Sequence, residues 1–255
     1  MPELPEVETT TRGLKKTIVG LIIKNVWTDL FTKDKRQREA IANPAYYKIF
    51  KKEVINKKVL SIERRAKNIL INISGNKTIL VHLKMTGYLF YGKNPKIKFA
   101  HVIFSLSNKK YLVLSDLRKF GKITLLDTKT IHLSKHLKNI GPEPLQKDFT
   151  LEKLTERLKK KPAGKIKTVL MDQGVIAGIG NIYSDEILWR AGVHPEKKVS
   201  KIKEKEMKLI FKEFQLHHKA YQHTGEKCKK KGCKGTIQRK IINGRNAHFC
   251  PIHQE

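Results

Sequence analysis

The apolar pattern of this chain changes character once, and that change limits how it can be built. Between residues 21 and 127 the apolar runs are short and rich in β-branched or aromatic residues. Polar turns such as Ser74-Gly75-Asn76 and Ser107-Asn108 separate several of them. Segments 21–27, 59–62, 69–73, 78–83, 101–105 and 111–114 are therefore expected to be strands. So many short strands at close spacing predict an antiparallel sandwich or barrel. A helix should precede them, with Val7, Leu14 and Ile18 on one face, and residues 33–52 read as a basic, partly helical insertion. Gly141-Pro142-Glu143-Pro144 is stiff and turn-rich, a natural linker. Beyond it the apolar spacing becomes helical, over 151–160, 166–171, 182–191 and 202–216. From about His223 the chain is basic and cysteine-bearing, with strand-like residues around 236–242. The fold class is thus α+β and multidomain, strands first and helices after.

A chain of 255 residues suffices for one large domain or two moderate ones. It carries 54 Lys+Arg against 23 Asp+Glu, a formal charge of +31. Such an excess points to a polyanionic partner, with nucleic acid first, although a lysine-rich surface can also serve only solvation. No apolar run approaches the roughly 20 residues needed to span a bilayer. The N-terminus is acidic and lacks the pattern of a secretory signal, so a cytoplasmic protein without a membrane partner is expected.

The three cysteines fall within one short stretch, as Cys228-x4-Cys233-x16-Cys250-x2-His253. An odd, clustered set in a cytoplasmic chain suggests metal ligation rather than disulfides. Two ligand pairs flanking a loop long enough for a β-hairpin suit one tetrahedral, structural Zn²⁺. A small unit with little core would draw much of its folding energy from the metal. His253 is the weakest of the four ligands because it lies near the chain end, and His248 is an alternative. Within the hairpin, Arg239, Lys240 and Arg245 either meet phosphates or form a solvated basic face.

The first eight residues, Met1-Pro2-Glu3-Leu4-Pro5-Glu6-Val7-Glu8, admit two compatible readings. Pro5 suits the first turn of a helix, and Glu6 and Glu8 suit its positive end. Removal of Met1 would also expose the secondary amine of Pro2. A terminal amine has a pKa near ~8 against ~10.4 for lysine, so roughly a tenth of it is nucleophilic at neutral pH. With Glu3 adjacent and Glu6 one turn away, this is the equipment for Schiff-base chemistry on a sugar carbon. Further on, Gly178-Ile179-Gly180-Asn181 lacks the full dinucleotide-binding glycine pattern. It suits either a turn whose amides and Asn181 meet a DNA phosphate or an ordinary turn between helices.

Taken in order, these segments resemble the formamidopyrimidine-DNA glycosylase family of helix–two-turn–helix repair enzymes. The resemblance rests on 2–8, on Arg64-Arg65-Ala66-Lys67, on His82-Leu83-Lys84-Met85-Thr86-Gly87 and on Asp116-Leu117-Arg118-Lys119-Phe120-Gly121. It continues through Ile140-Gly141-Pro142-Glu143-Pro144-Leu145, Leu170-Met171-Asp172-Gln173, 178–183 and the cysteine hairpin. It implies an N-terminal β-sandwich with a flanking helix over 1–130 and a hinge over 131–147. A helix–two-turn–helix domain over 148–222 and a zinc-finger hairpin over 223–255 would follow. Such a monomer clamps damaged double-stranded DNA between its two parts.

The resemblance also assigns roles. Pro2 would attack C1′ of a flipped-out nucleotide, Glu3 would be the acid–base group and Glu6 would assist. Lys67 would hold the lesion phosphate, within a DNA-binding set that includes His82. Met85, Arg118 and Phe120 would fill the vacated stack, and Asn181, Tyr221 and Arg245 match family phosphate contacts; Arg239 joins this DNA-binding set from the reading of the hairpin alone. The expected activity is removal of oxidised or ring-opened bases, followed by lyase cleavage of the strand. A non-catalytic zinc-containing protein that binds DNA damage on the same scaffold is the alternative. Two departures from the family pattern stand out. The last zinc ligand is His253 in place of cysteine. The segment from Leu216-His217-His218-Lys219-Ala220-Tyr221 to Thr224-Gly225-Glu226 is also too short for the usual loop over an oxidised purine.

Overall fold

The computed structural model describes residues 2–32, 37–214, 224–243 and 245–254. Two compact units divide the chain, Met1–Lys138 and Asn139–Glu255. In the first, helix α1 (Leu4–Ile18) starts at Glu3, whose extended backbone is the N-cap, with Pro5 in the first turn. Leu4, Val7, Thr11, Leu14 and Ile18 are buried, a spacing of three and four that draws one apolar stripe. There follow β1 (Ile23–Thr28), α2 (Pro44–Val54), β2 (Val59–Arg65), β3 (Asn68–Ile73) and β4 (Lys77–His82). The unit then adds β5 (Gly87–Gly92), β6 (Ala100–Leu106), β7 (Tyr111–Asp116) and β8 (Lys122–Asp127).

The strands form two antiparallel four-stranded sheets, ordered β1-β6-β7-β5 and β2-β3-β4-β8. Ile62, Ile69, Ile71 and Val81 of one sheet share a single core with Val102, Phe104, Leu112 and Leu114 of the other. This is the antiparallel sandwich expected, with Val7 and Leu14 of α1 and Phe50 of α2 closing its core. Two strands, β5 and β8, were not legible as strands. Glycines bound β5, and the cross-strand pairs Gly87–Asp116 and His82–Lys122, not local pattern, define both. Within the basic segment, α2 begins only at Pro44, where the Asn43 side chain accepts the Tyr46 amide at 2.9 Å.

The second unit contains α3 (Leu151–Lys159), α4 (Ile166–Leu170), α5 (Asn181–Ala191) and α6 (Glu204–Lys212), followed by the hairpin β9 (Gln238–Ile242) and β10 (Arg245–Phe249). Leu154, Leu158, Ile166, Leu170, Ile187 and Ile210 lie at the centre of its helical core. Two turns connect α4 to α5, and Gln173 stitches them. Its amide donates to the Met171 and Ile179 carbonyls at 2.9 and 2.7 Å and accepts from the Gly178 N–H at 2.9 Å. The Gly141 N–H donates to Gln173 O at 2.8 Å, and a Cβ on Gly141 would lie 2.7 Å from Val175 O. Only glycine fits there, so 141–142 is docked on the two-turn segment. Residues 215–223, and with them Tyr221 and the shortened loop, lie outside the described residues.

Candidate active site and nucleic-acid interface

The start of α1 holds Pro2 and Glu3. Pro2 is half-buried and Glu3 is completely buried. Glu6 Oε2 accepts the Glu3 N–H at 2.8 Å in a capping box, so Glu6 fixes the backbone that carries Pro2 and Glu3. Two positions on, Glu8 accepts from Arg12 Nε at 2.7 Å and from Arg64 Nε at 2.6 Å. Burial pushes the Glu8 carboxyl up, but the two guanidiniums outweigh it and leave it below the ordinary value.

That second pair ties α1 to the β2–β3 turn. Arg64 also donates to Ala66 O at 3.1 Å, and Ala66 takes the left-handed conformation, φ 53°, that the tight turn requires. The turn presents Lys67, only 7% exposed. Asn68, next in sequence, pairs with His82 across β3–β4, which brings Lys67 and His82 together. Burial, then Lys84 and Lys67, lowers the His82 pKa to about 3. His82 Nδ1 accepts the Lys84 N–H at 3.0 Å, so the neutral ring keeps its one proton on Nε2, a ready donor to an anion.

Met85, Arg118 and Phe120 lie on two loops at one end of the sandwich, after β4 and after β7. Their side chains are exposed, and the Arg118 guanidinium sits 4.7 Å from the Phe120 ring centroid. Buried Asp116, whose part the sequence pattern does not reveal, joins the loops. Its carboxylate accepts from Thr86 Oγ1 on one loop and from the Arg118 and Gly121 amides of the other, at 3.2 and 2.6 Å. The Arg118 N–H also reaches Thr86 Oγ1 at 3.1 Å.

In the second unit, Asn181 is the first residue of α5, at the end where the helix dipole favours an anion. Lys167, fully buried, donates to Asn181 O at 3.3 Å and to Asp185 Oδ1 at 2.5 Å. Asp185 Oδ2 in turn accepts the His248 N–H at 3.0 Å, so one buried ion pair links the start of α5 to β10. Burial pushes the Asp185 carboxyl up, and Lys167 opposes it. On the hairpin Arg239 and Arg245 are exposed. Lys240, the third basic residue singled out there, is engaged by Glu196, which also accepts from Lys165 at 2.7 Å.

Cys228, Cys233, Cys250 and His253 converge, with their ligand atoms all within 4.8 Å of one another. Cys233 Sγ and Cys250 Sγ are 3.6 Å apart, and Cys228 Sγ lies 3.3 Å from His253 Nδ1. A tetrahedron with Zn–S of about 2.3 Å has edges of roughly 3.8 Å, so the donor set fits one Zn²⁺. A Cβ on Gly235 would fall 2.5 Å from Cys250 Sγ, so the cluster requires glycine there. His253 Nε2 lies 2.9 Å from Trp189 O; a carbonyl only accepts, which leaves the lone pair on Nδ1 toward the thiolates. His248 is turned elsewhere, its Nδ1 3.0 Å from Thr224 Oγ1.

Comparison with known proteins agrees with this assembly. Residues 1–123 match the formamidopyrimidine-DNA glycosylase N-terminal domain, and residues 140–228 match the formamidopyrimidine-DNA glycosylase H2TH domain. A formamidopyrimidine-DNA glycosylase of Pelotomaculum thermopropionicum is 35% identical over 285 aligned positions, covering 100% of this chain and 99% of the relative. One of Ligilactobacillus salivarius is 35% identical, with 98% of each covered. The Lactococcus lactis Fpg bound to abasic-site DNA superimposes with a TM-score of 0.86 at 31% identity, covering 99% of each chain. Its complex with N7-benzyl-Fapy-dG DNA gives 0.87 at 32%, covering 100% of each. The domain matches define a helix–two-turn–helix protein. Within that class, the chain belongs to the formamidopyrimidine-DNA glycosylase family. No helix among the described residues is long and apolar enough to cross a membrane.

Proposed function

We propose that this chain removes ring-opened and oxidised bases from duplex DNA and then cuts the strand as an abasic-site lyase, with Pro2 as nucleophile. The observation that carries the reading is the construction of the N-terminus. A fully buried carboxyl group, Glu3, directly follows Pro2, and the Glu6 cap fixes their backbone. Chemistry at a terminal amine needs this fixing, since chain ends are otherwise poorly ordered.

The Pro2 nitrogen attacks C1′ as the C1′–N glycosidic bond breaks, and the base departs with the proton the amine gives up. Glu3 protonates O4′ as the sugar opens, leaving an iminium between Pro2 and C1′. Loss of a C2′ proton then expels the 3′ phosphate. Lys67 and the His82 N–H hold phosphate at the lesion. Met85, Arg118 and Phe120 occupy the gap left by the flipped nucleotide. Asn181, Arg239 and Arg245 take further backbone contacts, as does Tyr221 from the segment outside the described residues. Cys228, Cys233, Cys250 and His253 hold a structural zinc that stabilises the hairpin presenting the two arginines.

Borohydride trapping on a duplex with one abasic site tests this. The expected result is a covalent adduct that mass spectrometry maps to Pro2, together with loss of Met1 from the intact protein. Chemical blocking of the terminal amine should abolish it. An enzyme lacking Met1 that forms no adduct would sink the lyase mechanism.

A further inference from the structure

Beside the Lys67–His82 pair lies a second collection of cations that the proposed mechanism does not use. Lys122 faces His82 across the β4–β8 pair. Lys84 follows the strand end, with its amide on the His82 ring. Glu39 is tied to β8 through Thr124 Oγ1, which donates to its carbonyl, and its carboxylate pairs with Lys135. Next to Lys135, His136 has a buried Nε2 with no hydrogen-bond partner among the described residues. Lys84 and Lys122 are likewise without an ion-pair partner among those residues.

The groups repel one another's charge. Burial, then Lys135 and Lys84, lowers the Lys122 pKa, and Glu39 opposes this only in part. Burial, then Lys122 and Lys135, lowers that of His136. The arrangement is unfavourable in the protein alone, and a bound anion would favour the charged form of each group and so oppose these shifts. A DNA strand offers a phosphate about every 3.4 Å of helix axis, so a strand seated at Lys67 and His82 brings others close by.

We propose that Lys84, Lys122 and Lys135, with the His136 imidazole, form a second anion seat that takes a backbone phosphodiester of the bound strand. The inference rests on the DNA-binding reading above but not on its chemistry. Its test therefore uses equilibrium binding alone. Duplexes carrying a stable abasic analogue are prepared with one phosphate at a time replaced by a neutral methylphosphonate. Wild type is compared with a Lys84→Gln/Lys122→Gln double variant, and with Lys24→Gln/Lys52→Gln as a control for bulk charge.

At one position near the lesion, neutralisation should weaken wild type about tenfold and the double variant less than about twofold. The slope of log K against log salt should also be shallower by about 1 in that variant and uniformly affected in the control. Equal losses for wild type and variant at every phosphate would overturn the proposal, as would a wild type insensitive to all substitutions. Thermal melts check folding, and Lys122→Arg, which keeps the charge, should retain the wild-type pattern. If borohydride trapping failed while this coupling appeared, the lyase reading alone would fall.

Discussion

Replacing Asp116 by alanine should loosen both exposed loops at once and slow base removal more than strand cleavage. The fully buried carboxylate accepts from Thr86 Oγ1 and from the Arg118 and Gly121 amides. Hydrogen bonds to a charged partner are worth about 1.5–3 kcal/mol each, and unmet buried donors cost about 1–3 kcal/mol. The two loops can admit water, so we set the net loss at about 3–5 kcal/mol. For a unit of this size that corresponds to a Tm lower by roughly 10–15 °C. Asp116→Asn keeps one acceptor oxygen and should lose about half as much. Two single-turnover assays then separate the steps. If, as proposed, Met85, Arg118 and Phe120 fill the vacated stack, excision of a damaged base should fall at least about tenfold. Cleavage of a preformed abasic site has no base to replace, and should fall by less than about threefold. A Tm within 3 °C of wild type would refute the energetic argument, where ~3 °C marks about 1 kcal/mol. Equal losses in the two assays would refute the assignment of the loops to base displacement.

Two further outcomes follow from the same geometry. The Glu8 pKa is lowered in the folded protein, so its pairing with Arg64 and Arg12 stabilises above the ordinary carboxylate value and is lost as pH falls through the folded one. Glu8→Gln should therefore lower Tm most near neutral pH and converge on wild type in acid; an offset constant from pH 7 to pH 3 would contradict this. His253→Ala should drop zinc content well below one per chain under mild chelation, while His253→Cys keeps it. Dye-based zinc release on denaturation reads both, and an alanine variant that retains full zinc would exclude His253 as a ligand.

Much of the sandwich was legible because β-branched runs and polar turns alternate within short windows, and the helices because their apolar spacing is local. β5 and β8 were not, since their strand character comes from partners distant in sequence. The helix cap at Asn43 outweighed the basic composition that blurred the start of α2. The cysteine spacing announced a metal cluster, but choosing between His253 and His248 needed geometry: the deciding contacts, Trp189 O for one ring and Thr224 Oγ1 for the other, lie 64 and 24 residues away. Lys240 read as an outward cation, yet Glu196, remote in sequence, engages it.

What pattern matching could not supply is the division of labour inside each motif. In the N-terminal signature Glu3 stands next to Pro2, the proposed nucleophile, whereas Glu6 holds the cap and Glu8 anchors the turn that carries Lys67. In the two loop motifs Met85, Arg118 and Phe120 are exposed, whereas Thr86 and Asp116 hold the loops together. Gln173 does the same for the two turns ahead of Asn181. The exposed Met85, Arg118 and Phe120 thus lie on loops whose backbone a buried partner fixes, as a reactive geometry held to within about 0.5 Å requires. Substitution of a supporting residue should change positioning, and so rate, without removing a group that touches DNA. For that reason Asp116 and Glu8 are more informative targets than the exposed residues, whose replacement would remove a contact and its alignment together.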